Sequence, residues 1–118
     1  MFVKSKDYQN YIHTQRINLG AEFEKEDEEV FVILREMDTK SVLKLKNSAS
    51  KKDENGNPDE TASLETFREI LPTLIVDHNF YIDEQTKMSP DEVTELFFEK
   101  ISTVSKVLSA LQNRNFFR

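Results

Sequence analysis

Two stretches near the start of the chain arrange their apolar residues differently, and the difference predicts two unlike β-strands. From Arg16 to Glu24, apolar and polar residues alternate, which is typical of a strand with one buried face. Residues 30–35 read VFVILR, a run of five consecutive apolar residues, which predicts a strand that is apolar on both faces. Together the two stretches predict a β-hairpin at about residues 16–36.

The second predicted strand is apolar on both faces, whereas the first is apolar on only one. Residues 24–29 contain five acids and predict a polar loop between the strands. In the second strand, Phe31 and Ile33 lie on the face opposite Val30, Val32 and Leu34. Helices of the same chain can cover one face, but the other needs a third strand, a helix folded over it, or another molecule. If Phe31 and Ile33 stayed exposed, the fold would lack the stabilisation of about 1.5–3 kcal/mol that burial of each side chain provides.

Apolar spacings of three and four residues predict two helices after the hairpin. The first covers residues 39–47, with Asp38 or Thr39 as its N-cap. The second covers residues 63–78 and contains Pro72, which lacks an N–H and collides with the carbonyl four residues earlier. We therefore expect this second helix to kink at Pro72, or to end there and restart.

The motif MSPDEVTELFFEK gives the strongest local signal in the chain. Ser89 and Glu92 form the two halves of a capping box, with a proline at the first helical position. Apolar residues then recur to about residue 112, which predicts a helical region over residues 90–112. Ser102 and Ser105 are places where this region could instead divide into two helices.

The remaining segments are polar. Residues 51–60, KKDENGNPDE, predict a charged loop, and the tyrosine spacing of residues 1–15 suits a short helix. No repeat or second core is apparent in the 118 residues. We predict a single domain, residues 1–118, of the α+β class: mainly α-helical, with an N-terminal β-hairpin packed on the helices.

Charge and composition narrow the classes of partner. The net charge is −6, which makes nucleic acid an unsuitable ligand. No apolar run approaches the length that a membrane helix needs, and MFVKSKDYQNY lacks the apolar core of a signal peptide. The chain contains no cysteine, which excludes disulfides and thiolate chemistry. We expect a cytoplasmic protein that binds neither nucleic acid nor membrane.

No group of residues carries a catalytic, cofactor or metal motif. The stretch DENGNPDE resembles a calcium loop, but Pro58 stands where an EF-hand has glycine and Leu64 where it has glutamate. His13 and His78 are the only histidines, and no serine lies in a GxSxG turn. Two glycines are too few for a phosphate-binding loop. We therefore predict that the protein is not an enzyme and needs no cofactor or metal.

Aromatic residues near the C-terminus leave two interpretations open. Phe97 and Phe98 are adjacent on the predicted last helix, and Phe116 and Phe117 lie in the closing NFFR. These side chains could fold back onto the core of their own chain. Alternatively, they could join Phe31 and Ile33 in contacting a neighbouring copy or a partner. The candidate interface comprises Phe31, Ile33, Phe97, Phe98, Phe116 and Phe117.

The order of these segments resembles the tail assembly chaperones of long-tailed bacteriophages and prophages. The resemblance lies in a strand VFVILREM, a short helix TKSVLKLK, then FREILPTLIVDHNFYID and MSPDEVTELFFEKISTVSKVLSAL. It covers about residues 16–112 and depends on element order and apolar pattern. The charged insert at residues 51–60 departs from the family pattern.

The resemblance implies a non-enzymatic role in tail assembly. Members of this family coat the tape measure protein in the cytoplasm of the bacterial host before the tail tube polymerises around it. The implied partners are the tape measure protein and further copies of the chain itself, as a homo-oligomer or filament, with the tail tube protein as a further candidate. We expect the face carrying Phe31 and Ile33 to meet a helix of a neighbouring copy or of the tape measure protein.

Two alternatives come from other functional classes. One is a structural tail or connector component that stays in the finished virion. The other is an acidic regulatory domain that binds a basic protein by mimicking nucleic acid. The second alternative would need a regular stripe of carboxylates, whereas sixteen Lys and Arg residues are interspersed among the acids.

Overall fold

The computed structural model describes the backbone of residues 1–115 and the side chains of residues 1–112. Helices and strands are mixed along this part of the chain, and the helices predominate. In chain order the elements are α1 Lys4–Tyr11, β1 Thr14–Asn18, β2 Phe31–Arg35, α2 Thr39–Ala49, α3 Glu60–Leu74, β3 Ile75–His78, β4 Tyr81–Asp83, β5 Thr86–Lys87, α4 Pro90–Phe97 and α5 Ile101–Asn115. The predicted α+β class, mainly helical with an N-terminal hairpin, is confirmed.

The main sheet has three antiparallel strands in the order β1-β2-β3, so the apolar strand β2 is central. Strands β4 and β5 form a separate small hairpin. The inner face of the main sheet buries Ile17, Val32 and Leu34 against the helices. A third strand was one of the options that the sequence left open, and it covers an edge of β2 rather than its second face.

The first strand is shorter than predicted, because it ends at Asn18 instead of reaching Glu24. Ala21–Phe23 forms a 3-10 turn that brings the Phe23 ring within 5.2 Å of the Phe80 ring. The cause lies at Gly20, whose carbonyl accepts a 2.7 Å hydrogen bond from the Lys25 amide. The chain therefore folds back on itself here and cannot continue as a strand.

Asp38 caps α2, as predicted, and accepts a 2.8 Å hydrogen bond from the Ser41 amide. The predicted helix at residues 63–78 is wrong at both ends. It begins at Glu60, where the Asp59 carboxylate accepts a 3.1 Å hydrogen bond from the Ala62 amide. It ends at Leu74, two residues after Pro72, and residues 75–78 pair with β2 as strand β3 instead.

The capping box at Ser89 and Glu92 is present, but the helical region over residues 90–112 is divided in two. The division falls between Phe97 and Ile101, earlier than the serines suggested. In one continuous helix Ile101 would join the buried apolar stripe, whereas its side chain is 64% exposed. The break reorients α5, whose buried residues are Thr103, Val104, Val107 and Leu111.

Candidate interaction surface

The second face of the main sheet points away from the helical core, and we call it the outer face. Strand alternation places it opposite the buried residues Val32 and Leu34. Its strand pairing brings together residues that are far apart in sequence, since Ile33 lies between Arg16 and Asp77. The outer face consists of Thr14, Arg16, Asn18, Phe31, Ile33, Arg35, Val76 and Asp77.

Phe31 lies at one end of the outer face and is half-buried. The guanidinium of Arg16 covers it, with the guanidinium carbon 4.1 Å from the ring centroid. Arg16 also forms an ion pair with Glu29 in the acidic loop. The backbone N–H of Phe31 donates a 2.9 Å hydrogen bond to Oδ1 of Asn79, which fixes the end of the strand.

The opposite end of the outer face lies beside helix α1. An open groove of about 450 Å³ separates the helix from the sheet, and its lining includes Tyr8, Ile12, Thr14, Arg35 and Val76. Helix α1 buries none of its own residues completely. It therefore covers the face only partly, and the apolar side chains of Ile12 and Val76 line the open groove.

Val76 and Asp77 extend the outer face onto β3. Val76 lies on the edge strand β3, and its side chain is 56% exposed, although valine is usually buried. The Lys87 ammonium donates a 2.6 Å hydrogen bond to Asp77 and lowers the pKa of that carboxyl below its ordinary value. This ion pair makes the β3 side of the outer face polar at Asp77, so the apolar part of the face lies nearer to β2.

The structure brings together two of the predicted interface residues, Phe31 and Ile33, as neighbours on the outer face. Phe97 is not available to a partner, because it is 0% exposed and packs against the rings of Phe23 and Phe80 at 6.2 and 5.4 Å. A residue enclosed by its own chain cannot contribute contact area, which corrects its place in the predicted interface.

Phe98 also packs on its own chain. It is half-buried, with its ring 6.2 Å from the Phe67 ring and the guanidinium carbon of Arg68 5.9 Å above it. For Phe97 and Phe98, folding back onto the core was therefore the correct interpretation. Phe116 and Phe117 lie outside the described residues.

Sequence reasoning missed Val76 and helix α1 as parts of this surface. Val76 was assigned to a helix, where it would have faced solvent without strand neighbours. The signal that could have placed it is the β-branched pair Ile75-Val76, three residues after Pro72, since such residues favour strands. For α1 the tyrosine spacing indicated a helix but gave no information about its position over the sheet.

The remaining polar candidates do not assemble into a site. Asp53 accepts hydrogen bonds from the amides of Asn55 and Asn57, so the loop uses this carboxylate to hold its own shape. His78 is buried, and its Nδ1 accepts a 3.0 Å hydrogen bond from the Phe80 amide. Among the described residues, no cluster of three or more His, Cys, Asp or Glu is arranged to bind a metal ion.

Within the part of the chain that the structure describes, no helix has both the length and the apolarity to cross a bilayer. No family model, curated protein or solved structure matches this chain.

Proposed function

We propose that the chain is a non-enzymatic protein-binding domain that acts as a phage or prophage tail assembly chaperone. In this proposal it works in the cytoplasm of the bacterial host. It associates with further copies of itself and covers the tape measure protein until the tail tube replaces it. The outer face of the sheet would hold the partner.

The observation that supports this proposal is the partly covered outer face. Phe31 and Ile33 lie half-buried on the outer face of the central strand β2, and the exposed Val76 lies on the neighbouring strand β3. The opposite face of the sheet already packs on the chain's own helices, and partly exposed apolar patches of this kind mark interaction sites. A helix of the partner would pack across the three strands and exclude water from these side chains.

Charge adds a second, weaker support. The acidic loop at residues 24–29 adjoins the Phe31 end of the face, and Glu29 is drawn toward it through Arg16. Carboxylates beside an apolar surface disfavour indiscriminate stacking of identical copies. They also favour a partner that presents basic side chains at this end of the face.

The test co-expresses the full chain with a tape measure protein, which is the partner that the proposal names. We expect a Phe31→Asp/Ile33→Lys variant to lose capture of that protein in a co-expression pull-down. Val76→Asp provides a second variant, because its exposed side chain can change with little effect on folding. Ile101→Lys is the matched control, since it charges an exposed apolar residue on α5 instead.

Unchanged capture in both outer-face variants would contradict the proposal. Circular dichroism of each variant establishes that the fold is intact. Mass spectrometry of finished particles separates the chaperone from a structural tail component, because a chaperone leaves before the particle matures. Recovery of the chain in purified virions would favour the structural alternative.

A further inference from the structure

The free edge of β1 is an unused row of backbone hydrogen-bonding groups. The Leu19 amide donates to the Val30 carbonyl at 2.7 Å, and the Glu36 amide donates to the His13 carbonyl at 2.9 Å. Hydrogen-bonded pairs in an antiparallel ladder alternate along the strand. Residues 13, 15, 17 and 19 therefore face β2, and the backbone groups of Thr14, Arg16 and Asn18 face outward.

No hydrogen bond within the described residues reaches the backbone N–H or C=O of these three residues. All three side chains are exposed. Helix α1 lies over the outer face rather than along this edge, since its groove is shared with Arg35 and Val76. The backbone groups of this edge are therefore unpaired within the described residues, and the acidic loop and Lys106 border the edge near Asn18.

The other edge of the sheet carries the protection that β1 lacks. Strand β3 pairs with β2 through a register shift beside Ile33, and Lys87 reaches across it to Asp77. Bulges and charges of this kind prevent a further strand from adding. The β1–β2 register runs without interruption from Thr14 to Asn18, and β1 contains no proline.

Arg16 is the one charged residue of β1, and its charge does not lie along the strand edge, where it would disfavour pairing with another strand. Its guanidinium is turned onto the Phe31 ring and pairs with Glu29, both within its own chain. The side chain therefore lies across the sheet face, where its charge is offset by a carboxylate. The backbone groups of the edge remain unpaired, which is the condition for strand addition.

We propose that β1 pairs antiparallel with β1 of a second copy across a two-fold axis at Arg16. This register hydrogen-bonds all three outward residues, placing Thr14 opposite Asn18 of the second copy and Arg16 opposite its own equivalent. Antiparallel pairing of identical edges satisfies both copies at once, because each supplies the donors and acceptors that the other lacks. The result is a six-stranded sheet.

The joined sheet would place the two outer faces side by side and double the apolar surface available to one partner. The pairing gives the self-association in the proposed function a specific location, but it depends only on the backbone geometry of β1. It can hold even if the tape measure protein is not the partner. An edge this short buries less area than stable interfaces do, so we expect a weak dimer that forms at high protein concentration.

A Thr14→Pro variant tests the edge. Proline at this position removes an outward N–H and no hydrogen bond to β2, and proline is tolerated at the first residue of a strand. Thr39→Pro is the matched control, because it makes the same substitution at the first position of α2, where helices accept proline. We expect sedimentation equilibrium to show at least a tenfold weaker dimer for Thr14→Pro and an unchanged one for Thr39→Pro.

The register is tested by disulfide trapping, which the absence of native cysteine makes unambiguous. Thr14→Cys and Asn18→Cys proteins are mixed under mild oxidation. The proposed register predicts that the mixed disulfide exceeds the half expected from random pairing, because only residues 14 and 18 of different copies come within disulfide reach.

Several results would overturn the pairing. These are a monomer at all concentrations, mixed disulfides at the random proportion, or equal dimerisation of the two proline variants. Amide exchange gives an independent measurement, since the amides of Arg16 and Asn18 should slow as concentration rises. If Thr14→Pro loses the dimer but still captures the partner, self-association uses the β1 edge and capture does not. If Phe31→Asp/Ile33→Lys keeps the dimer but loses capture, capture uses the outer face and self-association does not.

Discussion

The guanidinium carbon of Arg16 lies 4.1 Å from the centroid of the Phe31 ring, and this contact partly covers the apolar side of the sheet. Arg16 is held in place from its other side by Glu29. The chain thus shields an aromatic residue with a removable cation instead of a packed helix. This contact reduces the apolar area that the ring exposes to water.

Replacing Arg16 with alanine should uncover Phe31. We expect Arg16→Ala to lower the free energy of unfolding by about 0.5–1 kcal/mol, the usual size of a cation–π contact near the surface. Binding of a dye specific for apolar surface should increase. Urea unfolding and dye fluorescence measure the two effects. Lys44→Ala, which removes a surface cation paired with Glu69 rather than an aromatic ring, should leave dye binding unchanged.

Two buried threonines on adjacent helices provide an internally controlled test of hydrogen bonding. Thr103 and Thr94 are each 1% exposed. The Thr94 hydroxyl donates a 2.9 Å hydrogen bond to the Pro90 carbonyl, whereas the Thr103 hydroxyl has no partner among the described residues. A buried hydroxyl without a partner keeps its desolvation cost and gains nothing in return.

Thr103→Val should therefore raise the free energy of unfolding by about 1 kcal/mol, since valine has nearly the same shape and no polar atom. Thr94→Val should leave it unchanged or lower it. Chemical denaturation of both variants measures the difference. Equal effects of the two substitutions would mean that the Thr103 hydroxyl is satisfied in solution.

The elements with strong local signals were predictable, and those that depend on distant contacts were not. The capping box at Ser89 and the Asp38 cap fix helix starts through hydrogen bonds within four residues, so the sequence contains the whole cause. Strand β3 was mistaken for helix because Ile75 and Val76 continue an apolar pattern that suits either structure. Pairing with β2, more than 40 positions away, determines the outcome.

Part of the candidate surface could be predicted from the sequence, and part of it could not. The uninterrupted run at residues 31–34 indicated an apolar second face on β2, because alternation within one strand is local. Phe97 and Phe98 could not be assigned by this reasoning. Whether an aromatic residue on a helix packs inward depends on how α4 and α5 are oriented, and the break after Phe97 sets that orientation.

His78 should make stability depend on pH near neutrality. Burial lowers the pKa of His78 below its ordinary value of 6.5, and the neighbouring Lys87 charge acts in the same direction. Below pH 6.5 the unfolded chain binds a proton that the native chain resists, so stability falls as the pH drops. Above pH 6.5 this contribution is complete.

We expect the free energy of unfolding to decrease as the pH falls below about 6.5, and His78→Asn to flatten that decrease. Asparagine retains an acceptor for the Phe80 amide but cannot titrate. The carboxyls of Asp38, Asp77 and Asp83 have lowered pKa values, so their contributions disappear only at more acidic pH.

Gly20 and Gly56 are required for different reasons, and replacing each with asparagine should therefore have different effects. A Cβ at Gly20 would lie 2.7 Å from the Lys25 carbonyl oxygen and 3.1 Å from that of Glu28, both backbone atoms that cannot move without opening the loop. Gly56 has a φ of +81° with open space around it, so only its backbone conformation is restricted. Asparagine tolerates positive φ better than alanine does.

Gly20→Asn should therefore destabilise the protein by about 2 kcal/mol or more, since a steric clash with fixed atoms forces the backbone to shift. Gly56→Asn should cost less than about 1 kcal/mol, and Gly56→Ala more than Gly56→Asn. Thermal and urea unfolding of the three variants give the order. Because the Gly20 turn ends β1 and positions the acidic loop, Gly20→Asn should also change the amide exchange of Leu19 and Lys25, whereas the Gly56 variants should not.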